Sequence, residues 1–174
     1  GKYTVNKEIY EAYPNRDSLP YIKEYLFPNN WKIKNFIRGT LRLEGWSKAW
    51  KDIFFMLENS SANLDKDIEI KSDELWSKYQ YKQDEKDRVV LHVSLEALDY
   101  DNKIIWSGSY ELDESGLGEN TAMALLVSIT LSAGVDLILQ KKLDPGVQAA
   151  PHSEKNIDYF FKILKNYKIN IKKK

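Results

Sequence analysis

The sequence predicts an α/β fold of the α+β type, in which a mixed, largely antiparallel sheet carries helices packed on one face. Three features indicate it: a strand pattern at 33–44, a hairpin pattern at 89–112 and an apolar helical stretch at 121–140. With 174 residues and 43% hydrophobic content, the chain is long and apolar enough to bury a substantial core. We therefore expect a single domain over residues 1–174.

The first part of the chain predicts strands on either side of a short helix. Residues 1–13 alternate loosely, as in one or two short strands. Asp17 or Ser18 can cap a helix that runs to about Leu26. Clean alternation at 33–44 predicts a strand. Its apolar face carries Ile33, Ile37, Leu41 and Leu43, and its polar face carries Lys34, Arg38, Thr40 and Arg42.

The hairpin pattern is the strongest local signal in the sequence. Apolar residues alternate with polar ones over 89–97 and again over 104–112, around the turn Asp99-Tyr100-Asp101-Asn102. Because a turn of even length pairs apolar face with apolar face, register and turn length agree.

The other elements follow from caps and periodicity. Ser47 is expected to cap a helix, and Ser153 the last helix of the chain. Residues 59–85 predict a polar loop to about 73 and then a brief helix. The basic tail at 168–174 is expected to be a solvated terminus.

Composition argues against several classes of protein. Lys+Arg 26 against Asp+Glu 26 gives a net charge of +0, so no global charge favours nucleic acid or an anionic membrane as partner. Asp136 would be costly in lipid, so we expect the 121–140 helix to be buried on most sides. The absence of cysteine excludes disulfides and is compatible with a cytoplasmic setting. Because the chain opens on Gly1 rather than Met, we expect further sequence upstream.

Two stretches concentrate arginines and short hydrogen-bonding side chains. The first is Tyr13-Pro14-Asn15-Arg16-Asp17-Ser18, and the second, at 36–46, contains Arg38, Gly39 and Thr40. A planar guanidinium binds a carboxylate through two parallel hydrogen bonds, which indicates recognition of an acidic small molecule. The polar face of the predicted sheet would hold Arg38, Thr40, Arg42, His92 and Ser94.

Structural roles compete with binding in the first stretch. Asn15, Asp17 and Ser18 would only build a turn and cap a helix. Arg16 would then pair with Asp17 or Glu24 on the surface.

Structural roles are also open for the second stretch and the histidines. Arg38 and Thr40 would be solvent-facing strand residues, and Arg42 would lie opposite a glutamate on the neighbouring strand. We assign no catalytic role to His92 or His152, which do not form a metal-ligand set.

These stretches resemble a known family. The runs at 13–18 and 37–42 are similar to the catalytic, C-terminal portion of saccharopine dehydrogenase of the glutamate-forming, NADP-dependent type (saccharopine reductase). The resemblance covers nearly the whole chain and is weakest over 59–85. Asp87-Arg88-Val89-Val90-Leu91, Thr121-Ala122-Met123-Ala124 and Ala150-Pro151-His152-Ser153 follow in the family's order.

The resemblance implies a two-part enzyme. A Rossmann domain would hold NADP(H), and this chain would be the second domain, which supplies substrate contacts and a homodimer interface. The implied reaction reduces the imine of 2-aminoadipate semialdehyde and glutamate, or runs in reverse, in lysine metabolism. The implied substrate contacts are Asn15, Arg16, Asp17, Ser18, Arg38, Gly39 and Thr40.

The glycine fingerprint of a dinucleotide-binding domain is missing from the sequence. Gly116-Leu117-Gly118 is a partial lookalike, better explained as a helix-entry loop. We therefore expect no cofactor on this chain alone, and an inactive fragment. The alternatives are a non-enzymatic ligand-binding or interaction module that keeps the fold, and a related reductase for another amino or keto acid.

Overall fold

The computed structural model describes residues 1–59, 63–116, 118–148 and 150–174. The chain forms two compact units, each described below by itself. The first combines residues 1–15 with 39–85, and the second combines 16–38 with 86–174.

The first unit contains an antiparallel sheet of three strands, β1 at Lys2–Val5, β2 at Glu8–Pro14 and β3 at Gly39–Leu43, which lie in the order β1-β2-β3. Asn6 and Lys7 both have left-handed backbone (φ 50° and 70°), which suits the tight turn between β1 and β2. Val5 and Tyr10 are buried.

The helices of the first unit correct two sequence predictions. The helix at 64–78 replaces most of the predicted polar loop; residues 60–62 of that loop lie outside the described residues. Ser47 lies inside a helix instead of capping one, because Gly45, with left-handed backbone (φ 94°), precedes it as the cap. The helices are α2 at Trp46–Ala49, α3 at Lys51–Glu58 and α4 at Leu64–Lys78.

The second unit is built on the predicted hairpin. Leu91 pairs with Leu112 and Val93 with Tyr110, so apolar residues lie opposite apolar residues, as expected. The register shifts between Ala97 and Leu98. In the turn, the Asp99 carboxylate accepts hydrogen bonds from two backbone amides. The elements of this unit are α1 at Pro20–Glu24, β4 at Arg88–Leu98, β5 at Ile104–Ser115, α5 at Ala122–Leu139, α6 at Glu154–Asn166 and β6 at Lys172–Lys173.

Helices α5 and α6 pack on one end of the hairpin's apolar face. The Thr121 and Ser153 side chains cap them, which confirms the prediction for Ser153. The buried cluster consists of Leu112, Ile129, Leu164 and Ile169. The α/β fold class is confirmed, with the strands of the described residues divided between two antiparallel sheets rather than joined in one.

Helix α5 is far more exposed than the sequence predicts. Its inner face, which includes Ile129 and Leu137, is buried, but Val127, Leu131 and Ile138 are more than half exposed. The prediction of a helix buried on most sides is therefore wrong for this chain. Among the described residues, α5 alone has the length and apolar composition of a membrane span.

The basic end of the chain is not a free tail. Lys172 and Lys173 are exposed, but their backbones pair with Glu111 and Tyr110 of β5. The sequence prediction of a solvated terminus holds for these two side chains and is wrong for the backbone, because the edge of β5 offers unpaired amides and carbonyls.

Candidate functional site

The segment 16–38, which belongs to the second unit, is tied together at its two ends. The Arg38 backbone amide donates to Ser18 Oγ at 2.9 Å, and Ser18 is 9% exposed. The prediction that Ser18 caps α1 is therefore wrong. The helix begins after Leu19 without a side-chain cap. The Leu19 amide donates instead to Asp17 Oδ1 at 3.0 Å, which makes the tight turn foreseen for this stretch.

The Arg38 guanidinium lies over the ring of Tyr21, with its Cζ 3.7 Å from the ring centroid. This face-on stacking is a cation–π contact that fixes the plane of the guanidinium. Arg38 makes no ion pair with a described residue. Because stacking uses the face of the group, its N–H edge stays able to bind a carboxylate.

An aromatic cluster supports Tyr21 from within the same segment. Tyr21 contacts Tyr25 at 5.8 Å between centroids, and Tyr25 contacts Phe36 at 6.0 Å. Phe27 lies edge-on to Phe36 at 5.5 Å and contacts Trp31 at 5.8 Å. These rings hold the two ends of the segment together around the Arg38–Tyr21 pair.

Arg16 is an exposed residue with a left-handed backbone (φ 61°). Its side chain forms no ion pair with Asp17, Glu24 or any other described residue, so the competing surface-pair interpretation fails. The segment thus offers two guanidinium groups without carboxylate partners among the described residues.

The remaining predicted contacts belong to the first unit. Asn15 is exposed and follows β2, while Gly39 and Thr40 begin β3. A Cβ on Gly39 would lie 3.1 Å from the Tyr13 carbonyl oxygen, so the expected close backbone approach exists. The expectation that Arg38 and Thr40 share one sheet face is wrong, because the strand starts only at Gly39.

Arg42 lies opposite Glu11 across the β2–β3 pair, as the structural alternative held. Its guanidinium donates to the Leu41 carbonyl and lies 5.8 Å from the Trp46 ring. His92 and Ser94 lie on β4, in a different sheet from Thr40 and Arg42, so the predicted common polar face does not form.

Glu11 is a buried carboxylate that the sequence analysis did not single out. Its oxygens accept hydrogen bonds from the Gly45 amide at 2.7 Å, the Ser47 amide at 3.0 Å and the Tyr13 hydroxyl at 2.9 Å. Hydrogen bonding, first from the Ser47 side chain and then from the two backbone amides, lowers the pKa of Glu11 to about 2. The Gly45 and Ser47 amides hold the start of α2 to Glu11 on β2, which indicates a structural role.

A second buried carboxylate and a cavity belong to the second unit and include no residue of the segment 16–38. Lys174 Nζ lies 2.6 Å from Glu111, and this contact, ahead of the weaker effect of His92, lowers the pKa of Glu111. No metal-ligand cluster occurs among the described residues. A cavity of about 330 Å³ is lined by Leu137, Lys142, Ser153, Lys155, Asn156 and Tyr159.

The loop before α5 does not fit a dinucleotide. The amides of Ala122 and Met123, which a pyrophosphate would need, donate to the Asp87 carboxylate at 2.6 and 2.9 Å. A Cβ on Gly116 would lie 2.6 Å from the same carboxylate, which explains this glycine without a cofactor. Leu117, the middle residue of the lookalike motif, lies outside the described residues.

Comparisons with known proteins give one similar solved structure and one matching family. A solved structure, apo histidine-tagged saccharopine dehydrogenase (L-Glu forming) from Saccharomyces cerevisiae, is similar with a TM-score of 0.75 at 19% identity. The match covers 100% of this chain and 53% of that one, so this chain spans about half the length of the yeast protein. No curated protein sequence matches significantly. The family model of the saccharopine dehydrogenase C-terminal domain matches residues 2–169, so the chain belongs to that family.

Proposed function

We propose that this chain is the substrate-binding and dimerisation part of a saccharopine-dehydrogenase-like oxidoreductase. The reaction is reduction of the imine of 2-aminoadipate semialdehyde and glutamate, or its reverse, in lysine metabolism. The observation that carries the proposal is the Arg38 guanidinium, stacked 3.7 Å above Tyr21 and without a carboxylate partner among the described residues. A second guanidinium on Arg16, in the same segment, fits a ligand that carries several carboxylates.

The contribution of these residues is binding and orientation. Imine reduction needs no protein nucleophile; it needs the substrate held in one position while a hydride is delivered to carbon. In the proposal, Arg38 binds one substrate carboxylate through its N–H edge, and Arg16 binds another. Their neighbours Asn15, Asp17, Ser18, Gly39 and Thr40 shape the surrounding backbone or add hydrogen bonds.

The hydride donor in this proposal comes from outside the chain. NADP(H) would bind to a companion Rossmann-type domain of the same parent protein, in a cytoplasmic setting. The Asp87 carboxylate already occupies the helix amides that a dinucleotide would use here, which supports this division. The chain alone should therefore be inactive and should not bind NADPH in a calorimetric titration.

The test is a substitution series in the full-length protein. Arg38→Ala removes a charge-assisted pair of hydrogen bonds, so KM for saccharopine should rise about 10- to 100-fold while cofactor affinity stays unchanged. Arg38→Lys keeps the charge but loses the planar fork and should recover only part of the loss. Arg42→Ala, in β3 four residues after Arg38, is the matched control and should leave KM unchanged.

Each result has a clear meaning. An unchanged KM in Arg38→Ala removes that residue from the site, and the same holds for Arg16→Ala. Saccharopine binding without turnover in the full-length protein would favour a non-enzymatic binding module. Turnover confined to a different amino or keto acid would favour a related reductase.

A further inference from the structure

Arg38 is held at both ends by two residues from a single turn of the chain. Its backbone amide donates to Ser18 Oγ at 2.9 Å, and its guanidinium Cζ lies 3.7 Å from the centroid of the Tyr21 ring. The Tyr21 amide in turn donates to the Ser18 carbonyl oxygen at 3.1 Å. The two residues that hold Arg38 are therefore fixed to each other as well.

The stacking distance determines how the guanidinium is oriented. At 3.7 Å from the ring centroid, an edge-on guanidinium would push a nitrogen into the ring, so its plane lies close to that of the Tyr21 ring. Tyr21 and Arg38 are both half-buried, and the ring covers one face of the guanidinium. A carboxylate must then approach in the plane of the group, where two parallel N–H bonds can form.

The other two arginines of these stretches are not held in this way. Arg16 is exposed, and no ring of a described residue stacks on its guanidinium. The Arg42 guanidinium lies 5.8 Å from the Trp46 ring, too far for stacking contact, and donates to the Leu41 carbonyl at 3.1 Å. Among the three, Arg38 alone has its orientation set before a ligand binds.

We propose that Ser18 and Tyr21 are positioning residues for substrate binding. Ser18 through its hydroxyl, and Tyr21 through the cation–π contact, hold Arg38 in the orientation that receives a substrate carboxylate. A free arginine side chain has many rotamers, and their loss on binding opposes affinity. Here that loss occurs on folding, so it no longer weakens the complex.

This proposal rests on the proposed function and changes the role of one residue in it. Ser18 was expected to contact the substrate, but it is 9% exposed and its hydroxyl already accepts the Arg38 amide. Its role is therefore exerted through Arg38 and not on the substrate itself. Tyr21, which the sequence analysis did not select, acts in the same way.

Kinetics of Tyr21 variants in the full-length protein test this role. Tyr21→Leu removes the ring and should raise KM for saccharopine about three- to tenfold, while kcat stays unchanged. Tyr21→Phe keeps the ring face and should retain the original KM. Tyr110→Leu is the matched control, because the Tyr110 ring also has a cation above it, Lys173 Nζ at 5.9 Å, but lies on β5. The control should leave KM unchanged.

A second substitution keeps the shape of the ring and changes its charge distribution. Trifluorophenylalanine at position 21 has nearly the volume of phenylalanine but a less negative ring face. KM should rise about two- to fivefold relative to Tyr21→Phe. This comparison decides the role of Tyr21 even if Tyr21→Leu does not fold.

The backbone contact is tested at Ser18. Ser18→Ala removes the acceptor of the Arg38 amide and should raise KM about two- to tenfold at unchanged kcat. An unchanged KM overturns the positioning role of Ser18.

A double variant shows whether Tyr21 acts through Arg38. Tyr21→Leu combined with Arg38→Ala should raise KM no further than Arg38→Ala alone, because no guanidinium is left to position. The role of Tyr21 is overturned by a further rise in the double variant, by a Tyr21→Leu variant whose KM is unchanged, or by equal KM values for phenylalanine and trifluorophenylalanine at position 21.

The Arg38→Ala variant separates this proposal from the proposed function. If Arg38→Ala raises KM while the Tyr21 and Ser18 variants do not, the positioning role fails and the proposed function stands. An unchanged KM in Arg38→Ala overturns both.

Discussion

Replacing Asp87 by alanine should destabilise the second unit through the start of α5. The Asp87 carboxylate accepts hydrogen bonds from the amides of Ala122 (2.6 Å) and Met123 (2.9 Å), and Ala122 is 1% exposed. Loss of a helix cap costs roughly 0.5–2 kcal/mol, and a charge-assisted hydrogen bond contributes about 1.5–3 kcal/mol. Since Thr121 still caps the third amide, we expect a loss of about 2 kcal/mol in the free energy of unfolding.

Urea denaturation followed by circular dichroism measures this loss. About 2 kcal/mol corresponds to a fall in Tm of roughly 4–8 °C for a chain of this size. Asp87→Asn keeps one acceptor oxygen and should lose about half as much, and Asp101→Ala in the exposed hairpin turn is the control. If Asp87→Ala unfolds at the same urea concentration as Asp101→Ala, the capping argument is refuted.

Three further predictions follow from the buried groups. The pKa of Glu11 lies at about 2, below its ordinary 4.5, so its contribution to stability is complete above pH 4.5 and is lost as pH falls towards 2. Glu11→Gln should flatten that part of an acid-unfolding curve, and an unaltered curve would contradict the assignment. Leu137→Ala should lower the free energy of unfolding in urea by about 3 kcal/mol, because Leu137 is fully buried. The control Leu139→Ala, at an exposed position of the same helix, should lower it by less than about 0.5 kcal/mol. Removing residues 172–174 should raise the pKa of Glu111 towards its ordinary value in an NMR titration, since Lys174 is its main partner; a constant pKa would refute this.

Elements with strong alternation or side-chain caps could be predicted from the sequence. The hairpin and the Ser153-capped helix are confirmed because their signals are local. The strand at 33–44 was predicted too long, since alternation does not reveal that the Arg38 amide bonds to Ser18, twenty residues away. Helix 64–78 was predicted only as a brief helix after residue 73, and its first part was taken for a loop because the helix buries no residue. Its acidic start at Asp65 and basic end at Lys78 could have indicated the full length.

The candidate site could be predicted only in part. Arg16 and Arg38 were identified from side-chain chemistry, and the structure leaves both without a carboxylate partner among the described residues. The stacking of Arg38 on Tyr21 depends on chain folding over seventeen positions, which no spacing rule encodes. The outward exposure of α5 was likewise hidden, because apolar composition alone does not show which face of a helix its own chain covers.

The pairing of Pro14 with Gly39 has a consequence for how this family can diversify. Strands β2 and β3 hold each other through five residue pairs, so their pairing does not depend on the intervening residues 16–38, which belong to the second unit. That segment can change in sequence while the register of β2 against β3 stays the same. Substitutions at Arg16 and Arg38 should therefore leave the pairing of β2 with β3 intact.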